Sequence, residues 1–215
     1  IKDFLKIEKD KADYTMCAIT GISGLEPIID IIKTTKNLAI ANKESIICGW
    51  NLIEKEIIKY KVKFIPIDSE HFSIQSLIKN NRNVEIETIY ITASGGPFLK
   101  LPISQFKNII PGKAIKHPNW KMGKKISIDS STLMNKVFEV IEAQRIFKLP
   151  ISKFKILIHP KSYLHSIVKF HDGTTKFLIH DTNMIIPIFN SLYYEDFNRQ
   201  LKSKKINFKK INNLN

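Results

Sequence analysis

The sequence predicts an α/β fold, and three observations carry that prediction. Between residues 14 and 67, short apolar runs alternate with longer amphipathic stretches in the order strand, helix, strand, helix, strand. That order implies a parallel sheet, because parallel neighbours need a helix-length crossover. Polar clusters stand where the strands end, which is where such sheets gather ligands. Near Asp68 the pattern changes to acidic and serine-rich motifs with further strands, so a second unit of α+β character is expected from there.

Tyr14-Thr-Met-Cys-Ala-Ile-Thr20 reads as a buried strand, and Gly21-Ile-Ser-Gly24 as a turn into a helix beginning near Leu25. Leu38–Ala41 is a second strand; Asn42-Lys-Glu-Ser45 opens a helix reaching about Tyr60; Val62–Ile67 is a third strand. The pair Gly21 and Gly24 lacks the full G-x-G-x-x-G, so any dinucleotide fingerprint lies upstream of residue 1.

Asp68-Ser-Glu70 follows the third strand. In an extended segment, side chains two apart share a face, so Asp68 and Glu70 converge. Two such carboxylates repel unless a cation lies between them, and hard divalent ions take oxygen ligands of this kind. Glu139 is the candidate third ligand. A capping pair before a helix over residues 73–80 fits the same residues.

Ile89–Pro97 reads as a strand delivering a Ser-Gly-Gly turn, where glycine lets backbone approach an anion closely. His117-Pro-Asn-Trp-Lys-Met-Gly123 is an irregular loop carrying Trp120 and Met122. Large apolar groups on a loop suggest a lid that packs on a ligand, although a loop tucked into the core would look identical.

Ser127–Glu139 reads as a strand end running into a helix that continues to about Phe147, with Asp129, Ser130 and Ser131 as capping candidates. Thr132, Asn135, Lys136 and Glu139 then share one arc of ~100°. Leu133, Met134, Val137, Phe138, Val140 and Ile141 fill the rest of the cylinder. The helix start offers free N–H groups suited to a phosphate. An amphipathic helix with a solvated polar face has the same pattern.

Phe154–Ile158, Leu164–Phe170 and Thr174–His180 read as strands, the last two joined at His171-Asp-Gly173. His159, His165 and His171 recur every six residues, a spacing that matches no usual zinc pattern.

The formal charge of +14 would suit an anionic partner, but the lysines are scattered among abundant Ile and Asn. That scatter suggests coding bias rather than a nucleic-acid patch. The densest basic run is Lys202–Lys210. Cys17 and Cys48 form no C-x-x-C, so a reduced compartment is expected, with both as small buried hydrophobes. No apolar run approaches the ~20 residues of a membrane span. The start at Ile1, without Met, suggests a piece of a longer chain.

Together the motifs are far more specific than any alone. Ala41-Asn-Lys-Glu-Ser45, Pro66-Ile-Asp-Ser-Glu-His71, Ser94-Gly-Gly-Pro-Phe98, His117–Gly123, Lys125–Ser130, Met134-Asn-Lys136 with Glu139, and Ile158-His-Pro-Lys-Ser162 with His165-Ser166 occur in that order. The set, running from about Met16 to Asp181, resembles the 1-deoxy-D-xylulose 5-phosphate reductoisomerase family.

The resemblance implies the second half of a Rossmann-like NADPH domain over 1–67, an α+β catalytic domain over 68–203, and a linker to a further domain beginning at 204–215. It implies NADPH- and Mg²⁺- or Mn²⁺-dependent conversion of 1-deoxy-D-xylulose 5-phosphate to 2-C-methyl-D-erythritol 4-phosphate by a homodimer. Asp68, Glu70 and Glu139 match the metal ligands. Ser69, Lys43 and Lys136 match positions touching the sugar hydroxyls, with Lys43 sharing the oxyanion load. Ser94, His117, Ser130 and Asn135 match the phosphate pocket; Asn42, Glu44 and Gly123 match NADPH contacts; Trp120 and Met122 match the lid. His165 is expected to support these groups rather than bind ligand. Ala93 stands where glycine is expected, which should crowd the turn slightly. A soluble protein of a plastid-type organelle or the bacterial cytoplasm follows, with no membrane and no nucleic acid. The rival readings are a basic nucleic-acid-binding module and a metal-dependent sugar-phosphate isomerase or aldolase without nicotinamide.

Overall fold

A computed structural model of the chain describes residues 10–79, 85–120, 123–193 and 198–202. Met122, most of the basic run Lys202–Lys210 and the expected linker at 204–215 lie outside them.

The first unit is a three-stranded sheet of order β1-β2-β3, from β1 (Ala12–Cys17), β2 (Thr35–Ile40) and β3 (Lys63–Pro66). Both pairings are parallel, with Met16 opposite Ala39 and Ile40 opposite Pro66, as the crossover argument requires. The crossovers are α1 (Leu25–Ile32) and α2 (Lys43–Tyr60). Asn42 caps α2 by accepting from the Ser45 N–H, so the helix starts where its Asn-x-x-Ser signal puts it. Ile28, Ile32, Leu38, Ile40, Ile46, Trp50, Ile53 and Val62 fill the core between sheet and helices. Cys17 is half-buried, whereas Cys48, expected inside, lies exposed on α2. An 18-residue helix packed on one side of a sheet must turn part of its circumference to solvent, and position 48 falls there.

The second sheet has the order β5-β4-β6-β7, from β4 (Ile86–Ala93), β5 (Phe154–Ile158), β6 (Leu164–Phe170) and β7 (Thr175–Ile179). β4 pairs parallel with β5 and antiparallel with β6, and β6 and β7 form the hairpin turned at His171-Asp-Gly173. The helix α3 (Ser69–Ile78) and α6 (Met134–Phe147) pack Ile74, Leu77 and Ala143 on its face, against Ile89, Ile91, Phe154, Val168 and Phe170. The short α4 (Pro111–Ala114) and α5 (Lys124–Ser131) lie between β4 and α6, and α7 (Ile185–Leu192) follows β7. Tyr14 of β1 meets Ser191 of α7 at 2.8 Å.

Three local expectations are corrected. Residues 124–131 are helical, not a strand end; Ile126 and Ile128 alternate as in a strand, but one lines a cavity and the other is exposed on a short helix. Asp129, Ser130 and Ser131 therefore close a helix instead of opening one. The Ser131 hydroxyl donates back to Ile128 O at 2.7 Å, and the chain breaks at Leu133 with φ +60° before α6 begins. The next helix after β3 starts at Ser69 rather than Ser73, with Asp68 as its cap instead of the first residue of an extended pair.

The third correction concerns the polar stripe of α6. Asn135, Lys136 and Glu139 are buried, together with Glu142, while Leu133, Met134 and Val137 are exposed. Thr132, assigned to the same stripe, lies before α6 begins and is not among the buried residues. The helix packs into the junction of both units, with Ile146 against the first core and Ala143 in the second.

Candidate active site

The carboxyl ends of four strands converge. β2 leads to Lys43, β3 to Asp68, β4 to Ser94 and β5 to the turn ending at Ser162, and all four residues line one cavity of about 240 Å³. α6 supplies Asn135, Lys136 and Glu139 to the same cavity, and His117, Trp120 and Ser130 complete its wall.

At one end, oxygen atoms of Asp68, Glu70 and Glu139 all lie within 4.8 Å of one another. Asp68 is held by its cap: Oδ1 accepts the Glu70 N–H at 3.2 Å, which turns both carboxyls inward from a helix N-terminus that favours negative charge. Ser69 Oγ donates to Glu70 Oε2 at 2.5 Å. Lys136 Nζ bonds Glu70 Oε1 at 2.8 Å and also contacts Glu139. Lys43 Nζ donates to Asn135 Oδ1 at 2.9 Å and stands 3.5 Å from both Asp68 and Glu139. Asn135 in turn donates to Glu139 Oε1.

Burial pushes the Glu70 carboxyl up, but the Lys136 ammonium, His165 and the Ser69 hydroxyl reverse this and hold it well below the usual range. Glu139 goes the other way, to about 7, through burial and the facing Glu70 charge, only partly offset by Lys136. Both lysines are held charged: burial works against them, but the surrounding carboxylates prevail. Glu139 Oε2 is buried against the Lys136 ammonium. Three carboxylates converging within 4.8 Å, Glu70 and Glu139 of them buried, fit a hard divalent cation. A second set, Asp68, His71 and Glu142, also lies within 4.8 Å, but His71 Nε2 is engaged with Glu139 O at 2.9 Å, and neither His71 nor Glu142 lines the cavity.

Another part of the wall is built from glycine and hydroxyls. Gly95 and Gly96 follow Ser94 with φ +85° and +69°. A Cβ on Gly96 would stand 2.8 Å from Ser130 O, so only glycine lets the turn approach the end of α5. Ser94 Oγ accepts the Gly96 N–H at 3.1 Å and meets His117 Nε2 at 3.0 Å. Ala93, at the end of β4, is paired opposite Ile158 and does not adopt a positive φ.

Trp120 lines the cavity with its edge toward His165, ring centroids 6.1 Å apart. His165 is buried and stacks on His180 at 3.6 Å; burial lowers its pKa to about 4, so it is neutral. The expected cofactor positions stay outside the cavity. Asn42 has its oxygen on Ser45 N and its nitrogen on Ile19 O and Gly21 O at 2.6 Å, so its polar atoms are all engaged within the protein. Glu44 pairs with Lys125 at 3.0 Å, two residues beyond Gly123, which is exposed. Among the described residues, His159 and His171 join no metal-capable cluster.

Sequence reasoning assigned no role to Thr92, Ser162 or Met184, which also line the cavity. Glu142 was missed too, although it lies one turn beyond Glu139 on the same stripe.

Two sequence models of one enzyme match the chain: 1-deoxy-D-xylulose 5-phosphate reductoisomerase over residues 4–49, and the C-terminal domain of the same enzyme over residues 64–147. The chain is 63% identical to the reductoisomerase of Pelagibacter ubique over 206 residues, which is 96% of this chain and 53% of that protein. The chain belongs to the 1-deoxy-D-xylulose 5-phosphate reductoisomerase family. The reductoisomerase of Wolbachia pipientis is 44% identical over 203 residues, 91% of this chain and 52% of that protein. Solved reductoisomerase structures agree in fold. That from Zymomonas mobilis in complex with NADPH has a TM-score of 0.83 at 37% identity, covering 94% of this chain and 52% of that one. A reductoisomerase in complex with NADPH, fosmidomycin and magnesium has a TM-score of 0.81 at 35% identity, covering 90% and 49%. The chain spans about half the length of the curated reductoisomerases it matches.

Proposed function

We propose that the cavity is the metal- and substrate-binding site of an NADPH-dependent 1-deoxy-D-xylulose 5-phosphate reductoisomerase, converting its substrate to 2-C-methyl-D-erythritol 4-phosphate. The observation that carries this reading is the pairing, within one cavity, of three converging carboxylates with a glycine-and-hydroxyl cradle. A sugar phosphate needs both: oxygen chelation at the reacting carbons, and an anion pocket that fixes the phosphate away from them.

Asp68, Glu70 and Glu139 would hold Mg²⁺ or Mn²⁺, which when bound supplies Lewis-acid polarisation of the substrate oxygens; bound NADPH supplies hydride. Lys43 and Lys136 stay protonated and balance the carboxylates, and each offers N–H groups to the sugar hydroxyls beside Ser69. Ser94, His117, Ser130 and Asn135 take the phosphate. Trp120 covers the cavity from the lid loop and excludes water. Gly123 is exposed for NADPH and Glu44 would meet it beside its partner Lys125, whereas Asn42 serves it only indirectly, by shaping the turn at 19–24.

The domain boundary falls between β3 and α3, with 1–67 serving the cofactor and 68–203 the substrate. The edge strand β7 supports a homodimer. Surface lysines paired with acids, such as Lys36 with Asp13, Lys148 with Glu54 and Lys169 with Glu87, speak against a nucleic-acid surface. No helix of the described residues is long and apolar enough to cross a membrane, and the relatives named above support a bacterial host rather than an organelle.

The test is NADPH oxidation by the intact protein, followed by absorbance. It should require both 1-deoxy-D-xylulose 5-phosphate and Mg²⁺ or Mn²⁺. Turnover without metal, or consumption of the sugar phosphate without NADPH, would favour the nicotinamide-independent isomerase.

A further inference from the structure

Asn119 lies outside the cavity lining, yet every polar hydrogen it offers is committed. Its amide nitrogen donates to Pro160 O at 2.6 Å and to Ser162 Oγ at 2.8 Å. Two acceptors on one nitrogen fix the orientation of the amide, because the flipped group would set oxygen against the Pro160 carbonyl. Ser162 is a firm mooring. It is buried, it sits in the left-handed region at φ +57°, and its own N–H closes a turn onto His159 O at 2.9 Å.

From that mooring the backbone turns onto His117. The N–H of Asn119 reaches His117 Nδ1 at 3.1 Å, and the N–H of Trp120 reaches the same nitrogen at 2.9 Å. A nitrogen accepting two N–H groups carries a lone pair and no hydrogen. The imidazole hydrogen is therefore on Nε2, which donates to Ser94 Oγ at 3.0 Å. Ser94 Oγ already accepts from Gly96 N, so its own hydrogen is left to point into the cavity. A second proton on His117 would place three hydrogens around one nitrogen. Partial burial of the ring opposes protonation as well, and the charge on Lys136, which lines the same cavity, adds to it.

We propose that Asn119 is a positioning residue: by tying residues 119–120 to the Pro160–Ser162 turn, it holds His117 as the neutral Nε2–H tautomer, a fixed hydrogen-bond donor of the anion cradle. The claim deepens the phosphate-pocket reading above and rests on it for the identity of the ligand, not for the state of the ring.

The test is nitrogen NMR on intact protein labelled at histidine, with the His117 signal assigned by its loss in His117→Gln. The expected spectrum shows an unprotonated Nδ1 and a protonated Nε2 at neutral pH, with the ring charging at a lower pH than an ordinary histidine. In Asn119→Ala the ring should exchange between tautomers and titrate closer to the ordinary histidine value. Binding of inorganic phosphate should weaken about fivefold, the effect of one lost hydrogen bond. Asn119→Asp, which keeps the shape but sets oxygen against Pro160 O, should do the same. Ser162→Ala, which spares the Pro160 bond, should act in the same direction more weakly. Unchanged signals of His71, buried away from this loop, mark an intact fold in each variant, and if Asn119→Ala does not fold, the parent and Ser162→Ala spectra decide. A protonated Nδ1 in the parent, or a tautomer and titration indifferent to Asn119, would overturn the proposal. If the tautomer is as stated but no sugar phosphate is turned over, the inference stands and the functional reading falls.

Discussion

Lys43 Nζ donates a 2.9 Å hydrogen bond to Asn135 Oδ1 across 92 residues of chain, joining the first residue of α2 to the second residue of α6. The bond makes one site out of two units. The parallel sheet contributes the ammonium, and the helix shared by both cores contributes the amide that in turn bonds Glu139.

Because Lys43 also stands within 4.0 Å of Glu142, its loss leaves three carboxylates, two of them buried, with one fewer partner. Lys43→Met should destabilise the metal-free protein by about 3–5 kcal/mol, the usual penalty for breaking a buried ion pair from one side. Urea denaturation checks the value, and added Mg²⁺ should recover part of the loss.

Glu139→Gln should behave differently. In the absence of metal, burial and the Glu70 charge both disfavour its ionised form. Removing the charge should therefore leave metal-free stability within about 1 kcal/mol of the parent. The stabilisation by Mg²⁺, about 2.7 kcal/mol for a ligand at a hundred times its Kd, should disappear. Thermal melts with and without Mg²⁺ report both numbers.

Gly96→Ala should injure the anion cradle specifically. The left-handed backbone costs about 1–2 kcal/mol for a residue with a Cβ, and the new methyl meets Ser130 O at 2.8 Å. Phosphate binding should weaken at least tenfold while Mg²⁺ binding is retained, as calorimetry with each ion alone would measure.

The two cysteines should react unequally. Burial pushes the Cys17 thiol up to about 11, while Cys48 is exposed. At pH 8 Cys17 is almost wholly protonated, so iodoacetamide should modify Cys48 first. The Cys17 rate should rise roughly tenfold per pH unit until its pKa, since the thiolate is the reactive form. Mass spectrometry after timed alkylation follows both.

The parallel sheet was legible because apolar runs, the Asn42 cap and the glycine turn all carry local signals. The site was legible as chemistry: Asp68, Glu70 and Glu139 do meet. Its mechanics were not. The carboxylates converge through a helix cap rather than an extended strand, because the Asp68 side chain and the Glu70 N–H satisfy each other locally. The α6 stripe was read as equally suited to a solvated face, since a single helix pattern does not say which side another core will cover. Ser162 belongs to the Ile158–Ser162 motif, but nothing in that motif says the residue lines the cavity; its place depends on a left-handed turn that sequence does not announce. Asn42 shows the converse, a residue matched to cofactor binding whose atoms are all engaged in the turn and cap that shape the first unit.

The most direct test is the position of a bound Mn²⁺, located by its anomalous scattering in crystals of the intact protein. The account predicts one ion within roughly 2.0–2.3 Å of carboxylate oxygens from Asp68, Glu70 and Glu139 together. An ion held instead by Asp68, His71 and Glu142, or crystals soaked to saturation with no ion among these residues, would contradict it.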